Sequence, residues 1–309
     1  MEEDAIYNRH LDVFLLWACR ETGVVDALLD GPKRPEAVAA ETGVTERAAA
    51  IALEGLRDGE YVEKSGDEYR PTAELTVFDP DTAPLDRGIL PHRLDSLAKY
   101  TQLPETMRTG DPPGRTEEGF PNYIGAMATI DEAEVREIVT AVEHCHPRPD
   151  SVLDVGGGPG RFSAEFRRRG ADVTLFDQPA VLEMLADRHE QAGLDVVAGD
   201  AQEGLPAGFD LVFSARMTSG FTPEDIRTYF ENAYAAVEPG GTFAAVERVR
   251  GRSEVAERFA VHMLAVFPTG NTYEASTYRE ALTGAGFVDP EVIEVPGTEY
   301  QAIVGRKPE

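Results

Sequence analysis

The sequence predicts an α/β fold: a doubly wound, Rossmann-like parallel sheet preceded by a mostly helical domain of winged-helix type. Three observations carry that prediction. From Ser151 onward, short apolar runs alternate with amphipathic stretches, the pattern of successive βαβ units. The first run ends in Asp154 and then three glycines at alternate positions, Gly156, Gly158 and Gly160. Such spacing lets a strand turn sharply into a helix with its backbone N–H groups open to a ligand. Before residue 92, two helical stretches joined by a glycine turn lead into a short hairpin. At 309 residues the chain is long for one core, so two domains are expected, 1–92 and 93–309.

Leu11, Phe14, Leu15, Ala18 and Val25 recur at near-helical spacing with Trp17 beside them, so 6–27 reads as one amphipathic helix. Pro35 opens a short helix that Gly43 ends, and Thr45 caps a second that runs to Gly59. Residues 61–64 and 68–70 pair across Ser65, Gly66 and Asp67. A stretch rich in Pro and Asp, 78–91, holds the domain boundary, and helical spacing returns over 90–106 and 123–144 on either side of a loop at 109–119. Strands are then expected at 151–155, 172–176, 195–198, 210–214, 241–247, 291–295 and 300–305, the last two as an edge hairpin. Helices are expected at 161–169, 181–191, 223–237 and 276–285.

Net charge is −27 and the acidic residues are dispersed, while lysine occurs only at Lys33, Lys64, Lys99 and Lys307. Such a surface reads as adaptation to a high-salt cytoplasm, a halophilic source, where self-repulsion is screened over a few ångströms. The same field repels DNA phosphates and anionic lipid, so no nucleic acid and no membrane partner is expected. Winged helices often bind DNA, yet the second helix carries Glu46, Glu54 and Asp58 against Arg47 and Arg57. Dimerisation suits it better, and a homodimer is expected. No run of about eighteen apolar residues occurs, and the N-terminus lacks a basic and then apolar pattern, so a soluble, cytoplasmic protein is expected. Cys19 and Cys145 stand far apart without metal-ligand spacing, so no disulfide and no metal is expected.

A dinucleotide fingerprint would place its third glycine where Arg161 stands, which disfavours NAD. In an open α/β sheet the ligand lies outside the carboxyl ends of the strands. Asp177, with Gln178, follows the second strand, where a carboxylate can accept two ribose hydroxyls. Asp200 and Ala201 follow the third, where a carboxylate can meet an adenine amine. Phe213, Ala215 and Met217 surround the end of the fourth, where Met217 and Phe213 can flank the ring. Each acid taken alone equally suits a helix N-cap. Their succession at strand ends favours a site.

The D-x-G-x-G-x-G pattern resembles the first motif of S-adenosylmethionine-dependent methyltransferases. More widely, the chain resembles the small-molecule O-methyltransferases with an N-terminal winged-helix dimerisation domain, the group of plant phenolic, carotenoid and polyketide methyltransferases. The likeness lies in Asp154 to Gly160, in Asp177-Gln178-Pro179 with Gly199-Asp200, and in Glu238-Pro239-Gly240-Gly241. It extends to Arg108-Thr109-Gly110 ahead of Phe120 and Met127, and to His262-Met263 and 278–287 near the end. The resemblance implies S-adenosylmethionine as cofactor, held around Asp154, Gly156, Gly158, Gly160, Asp177, Gln178, Asp200, Ala201 and Ala215. It further implies a pocket of Phe120, Tyr123, Met127, Met263 and Phe267 for an apolar, cyclic or isoprenoid small molecule.

The catalytic apparatus matches only in part. Where the family commonly has His-Asp-Trp, this chain reads Ser219-Gly220-Phe221. One family glutamate matches Glu247; a second falls on Thr272. Without the usual histidine base, three routes stay open: a substrate acidic enough to ionise unaided, methylation on carbon, or another base. Arg216 and His262 are the nearest candidates, Arg216 as oxyanion partner or structural ion pair, His262 as base or packed side chain. His10, His92, His144, His146 and His189 have no supporting context in the sequence. The alternative function is a catalytically inactive cofactor- or ligand-binding regulator on the same fold.

Overall fold

Gly23 takes the left-handed conformation and divides the expected first helix into α1 (Glu2–Glu21) and α2 (Val24–Leu29). A glycine there satisfies both the end of one helix and the start of the next, which apolar periodicity alone does not register. The computed structural model describes residues 2–114, 116 and 119–309. These divide into two units, Met1–Ala98 with Thr116–Ala126, and Lys99–Arg115 with Met127–Glu309.

In the first unit, α3 (Pro35–Thr42) ends at left-handed Gly43, and Thr45 Oγ1 accepts the Ala48 N–H at 3.2 Å to cap α4 (Glu46–Asp58). Strands β1 (Val62–Ser65) and β2 (Glu68–Pro71) pair antiparallel and lead into α5 (Ala73–Thr76). Leu16, Val25, Leu28, Val38, Leu53, Leu56, Val62 and Tyr69 form the core. The stretch expected as one helix over 90–106 is two, α6 (Leu90–Thr101) and α7 (Leu103–Thr109), because Pro104 fits only the first turn of a helix. The expected boundary at 92/93 lies inside α6, whereas the division between units falls after Ala98, and α8 (Gly119–Ala128) is itself shared between the two units.

The second unit continues with α9 (Glu132–Cys145), β3 (Ser151–Val155), α10 (Arg161–Arg168) and β4 (Asp172–Asp177). There follow α11 (Pro179–Met184), α12 (Ala186–Ala192), β5 (Asp195–Ala198), β6 (Phe209–Ala215) and α13 (Pro223–Ala236). It closes with β7 (Val237–Glu247), α14 (Ala256–Val266), α15 (Ala275–Ala285), β8 (Val288–Glu294) and β9 (Gln301–Arg306). Among the described residues the strands form a seven-stranded sheet in the order β5-β4-β3-β6-β7-β9-β8. The first five are parallel, and β9 runs antiparallel between β7 and β8, so only β8 of the terminal hairpin lies at the edge. Strand order reverses between β3 and β6, which opens a crevice at their carboxyl ends.

Side chains alternate across this sheet. Leu153, Val155, Val212, Phe243 and Ala245 face α13 and α15, while Val152, Leu211, Phe213, Ala244 and Val246 face α9 and α10. Cys19 and Cys145 are free thiols, and among the described residues no helix is long and apolar enough to cross a membrane. Phe243 is wholly buried, with the rings of Phe230, Phe287 and Tyr229 centred 4.8, 5.6 and 5.7 Å away. Phe243→Ala should cost about 3–5 kcal/mol, read as a lower urea midpoint for the second unit. A midpoint equal to wild type would show that this cluster repacks without loss.

Candidate active site

The turn from β3 into α10 is built from what its glycines lack. Gly156, Gly158 and Gly160 have φ of 70°, 48° and 73°, a left-handed conformation that side chains disfavour. A Cβ on Gly157 would stand 2.6 Å from Leu175 Cγ, and one on Gly160 2.8 Å from Leu194 Cδ1. One on Gly156 would meet Met217 Sδ at 3.1 Å, whereas one on Gly158 would meet nothing nearer than the Gly156 carbonyl oxygen at 4.0 Å. The turn is packed from below and open over Gly158.

Two carboxylates hold it. Asp154 is buried on β3, and Ser163 of α10 donates its hydroxyl to Oδ2 at 2.5 Å. Burial pushes its carboxyl up to about 6, against the pull of the Ser163 hydrogen bond. Asp177 ends β4, where Oδ2 accepts the Gly158 N–H at 2.8 Å and Oδ1 the Gln178 N–H at 2.7 Å. Its carboxyl is raised by burial, with these two N–H groups opposing. Asp200 is exposed and accepts the Gln202 N–H, while Ala201 is buried against the sheet. Gly199 sits where a Cβ would strike the Phe176 ring at 2.6 Å.

Ala215 ends β6, and Arg216 follows with φ 59°, an uncommon conformation for a long side chain. The Arg216 N–H bonds the Val246 carbonyl at 2.8 Å, and its charge acts on Glu134 and Tyr300. Of the two side chains expected to flank a ligand ring, Met217 lies against Gly156. Phe213 does not face the crevice: it is fully buried between Phe162 and Phe166, since strand alternation turns it toward α10.

Glu247 is buried at the end of β7, where Oε1 accepts the N–H groups of Met217 at 2.8 Å and Thr218 at 2.6 Å. Burial raises its carboxyl and these bonds oppose the shift. Its shown work is therefore to brace the turn after β6. Ser219 is buried in the 3-10 turn Thr218–Gly220, and its carbonyl accepts the Asn271 N–H at 2.9 Å. Thr272 is buried and donates to the Ala256 carbonyl at 3.2 Å. Gly220 lies against Phe267, and Met263 is buried one helical turn earlier. Met127, Met263 and Phe267 belong to the second unit; Phe120 and Tyr123 belong to the first, where Tyr123 packs edge-on to His92.

Two neighbours of candidate residues escaped the sequence. Tyr100 Oη lies 2.7 Å from His262 Nδ1, and the Phe259 ring is centred 5.5 Å from the imidazole. Burial raises the Tyr100 phenol, which keeps it protonated. His189, on α12, lies buried beside the glycine turn with Nε2 2.8 Å from the Gly158 carbonyl.

In doubly wound sheets ligands bind in the crevice at the carboxyl ends of the strands, where here the glycine turn and the carboxylates of successive strand ends lie. The family model described as O-methyltransferase domain matches residues 114–288. The 3-amino-4-hydroxybenzoate 4-O-methyltransferase of Streptomyces cremeus is 31% identical over 154 residues, 47% of this chain and 42% of that relative. The demethylspheroidene O-methyltransferase of Cereibacter sphaeroides is 25% identical over 305 residues, 90% of this chain and 79% of that one. The solved mitomycin 7-O-methyltransferase MmcR shares the fold at a TM-score of 0.74 and 18% identity, covering 99% of this chain and 97% of its own. The chain belongs to the O-methyltransferase domain family, and with it to the S-adenosylmethionine-dependent, O-methyltransferase-like enzymes.

Because burial favours the neutral Asp154 carboxyl, this group contributes stability that is complete below the ordinary carboxylate range and is lost as pH rises through about 6. Asp154→Asn mimics the neutral form, so its stability relative to wild type should grow from about pH 5 to about pH 7. Urea unfolding at several pH values checks this; a constant difference would mean that Asp154 is ionised at no cost.

Proposed function

We propose that this chain methylates an oxygen of an apolar, cyclic or isoprenoid small molecule, as a homodimer joined through its N-terminal helical region. The observation that carries the cofactor half of this reading is the turn left open over Gly158 beside the Asp177 carboxylate. The residues there fit a nucleoside donor. The Asp177 oxygens each spend one lone pair on backbone N–H and keep others for ribose hydroxyls, while Gly156, Gly158 and Gly160 let the chain approach closely. Asp154 and Ser163 hold the turn from beneath, Gln178 and Ala215 border it, and Asp200 and Ala201 stand at the base-binding end. S-adenosylmethionine, when bound, supplies a methyl group already activated as a sulfonium.

With the donor activated, the protein's task is orientation, worth roughly 7–11 kcal/mol in favourable cases. Glu247 fixes the segment 217–218 through two backbone bonds, and Met127, Met263 and Phe267 of the second unit supply apolar lining. Arg216 stabilises the substrate oxyanion. His262, its Nδ1 engaged by Tyr100, orients the acceptor rather than taking its proton. Ser219 leaves room where a base would otherwise stand. The acceptor's own acidity then sets the pH dependence. The names of two relatives, a 3-amino-4-hydroxybenzoate 4-O-methyltransferase and a demethylspheroidene O-methyltransferase, support a small-molecule acceptor. A cofactor-binding regulator without turnover is the second reading, favoured by Ser219 and Thr272 standing where bases are usual.

Incubation of the chain with labelled donor and a cell extract in molar salt, followed by mass analysis of the labelled product, separates the two readings; binding without any product supports the regulator. Asp177→Ala should weaken S-adenosylhomocysteine binding by about 10–100-fold, the range for hydrogen bonds to a charged group, with the fold intact by circular dichroism. Unchanged affinity by calorimetry would remove Asp177 from the site. His262→Ala should lower turnover by less than the roughly 10²–10⁴-fold that follows loss of a general base, with the pH–rate profile unchanged. Collapse of turnover, and loss of a titration near the histidine range, would make His262 the base.

A further inference from the structure

His189 is 2% exposed, and its two ring nitrogens have opposite fates. Nε2 lies 2.8 Å from the Gly158 carbonyl, and since a carbonyl only accepts, Nε2 carries the proton and donates. Nδ1 is buried without a hydrogen-bond partner among the described residues. As a packing residue such a histidine is a poor choice, because an apolar side chain of similar size would leave no polar atom stranded. What an apolar side chain cannot supply is the donated bond into the turn.

That bond falls on a peptide with no other anchor of its kind. Gly158 precedes Pro159, so the peptide between them has no N–H, and its carbonyl is its sole hydrogen-bonding group. The peptide on the other side of Gly158 is held through its N–H by Asp177 at 2.8 Å. Gly158, at φ 48°, is thus clamped on both flanks, by Asp177 at the end of β4 and by His189 of α12. The clamp is itself fixed. His189 takes its place through α12, its carbonyl accepts the Leu194 N–H at 3.0 Å, and Leu194 fills the space that a Cβ on Gly160 would need.

We propose that His189 is a positioning residue of the cofactor site: by holding the Gly158–Pro159 peptide it keeps the Gly158 N–H on Asp177, and so presets the carboxylate and the open turn for the donor. This rests on the reading of residues 156–160 as the cofactor cradle. The imidazole touches neither donor nor acceptor molecule and acts through the turn alone.

The test compares His189→Leu, His189→Gln and His189→Asn in the full chain. Each is titrated calorimetrically with S-adenosylhomocysteine, melted, and assayed for KM of the methyl donor and kcat. Gln carries an amide N–H2 at the reach of the imidazole Nε2, and Asn falls short of it. His189→Leu and His189→Asn should bind roughly tenfold more weakly, the scale of one lost hydrogen bond, with KM raised in step and kcat at saturating donor within about twofold. His189→Gln should recover most of the affinity. The melting temperature of His189→Leu should equal or exceed that of wild type, since the stranded Nδ1 is gone. Should His189→Leu not fold, the contrast between Gln and Asn carries the same information. Leu or Asn binding as tightly as wild type overturns the proposal, as does an affinity loss in all three that merely follows a loss of melting temperature. Failure of the wild-type chain to bind at all overturns the cradle reading, and this inference with it.

Discussion

The second unit is organised around a place where side chains are excluded. Between Val155 and Arg161 the backbone must change from strand to helix in five residues, and Leu175, Leu194 and Met217 occupy the volume that Cβ atoms would need. Those three residues come from β4, from the link before β5 and from the turn after β6, so the positions of the neighbouring elements presuppose the bare turn. The strand order makes the same demand. Reversal between β3 and β6 leaves a crevice at their carboxyl ends, and only the glycine backbone lies at its floor.

Around that floor, buried and half-buried carboxylates do structural work in a protein whose acidity is otherwise spread over its surface. Asp154 is tied to Ser163, Asp177 to the N–H groups of Gly158 and Gln178, and Glu247 to those of Met217 and Thr218. In each case a backbone or hydroxyl donor, rather than a lysine or arginine, balances the burial. Hydrogen bonds of this kind fix geometry without a counter-charge, so the crevice keeps charged groups available for a ligand. Arg216 fits the pattern from the cationic side. Its left-handed backbone carries strain, and its N–H is secured by Val246 while its guanidinium stays within the electrostatic reach of Glu134 and Tyr300.

What was legible in the sequence was local. The glycine turn, the Thr45 cap and the strand alternation each depend on residues within a few positions of one another, and each stands where the pattern puts it. Helix breaks were less visible: Gly23 and Leu185 interrupt runs whose apolar spacing continues across them, and β7 begins at Val237, four residues before its apolar stretch. The partners of the site were not legible at all. Phe213 and Met217 look alike as apolar residues near one strand, four positions apart; the pleat keeps Phe213 in the core, whereas Met217 lies beyond the strand's end, past the left-handed Arg216, and stands against Gly156. His189 reads as one polar residue in a polar helix, and Tyr100 as the end of another; their contacts with Gly158 and His262 span 31 and 162 positions. Glu247 was found by resemblance, yet its brace to Met217 and Thr218 depends on the pairing of β6 with β7, which no local pattern encodes.

At the two positions where the resemblance would put base residues stand Ser219 and Thr272, both uncharged. Ser219 is walled by the Asn271 N–H on its carbonyl and by Thr269 on the next, and Thr272 is spent on the Ala256 carbonyl. The first two contacts join the turn after β6 to the segment that follows α14, so the loop 267–272 is stitched to 218–220 by neutral hydrogen bonds, while the third ties Thr272 to the first residue of α14. On the proposed function, such a site holds two reactants in line through close packing and short hydrogen bonds, without a side chain at 219 or 272 that removes a proton from a weak acid. That reading, in which His262 is not the base, suits an acceptor that is already ionised, or readily so, when it enters.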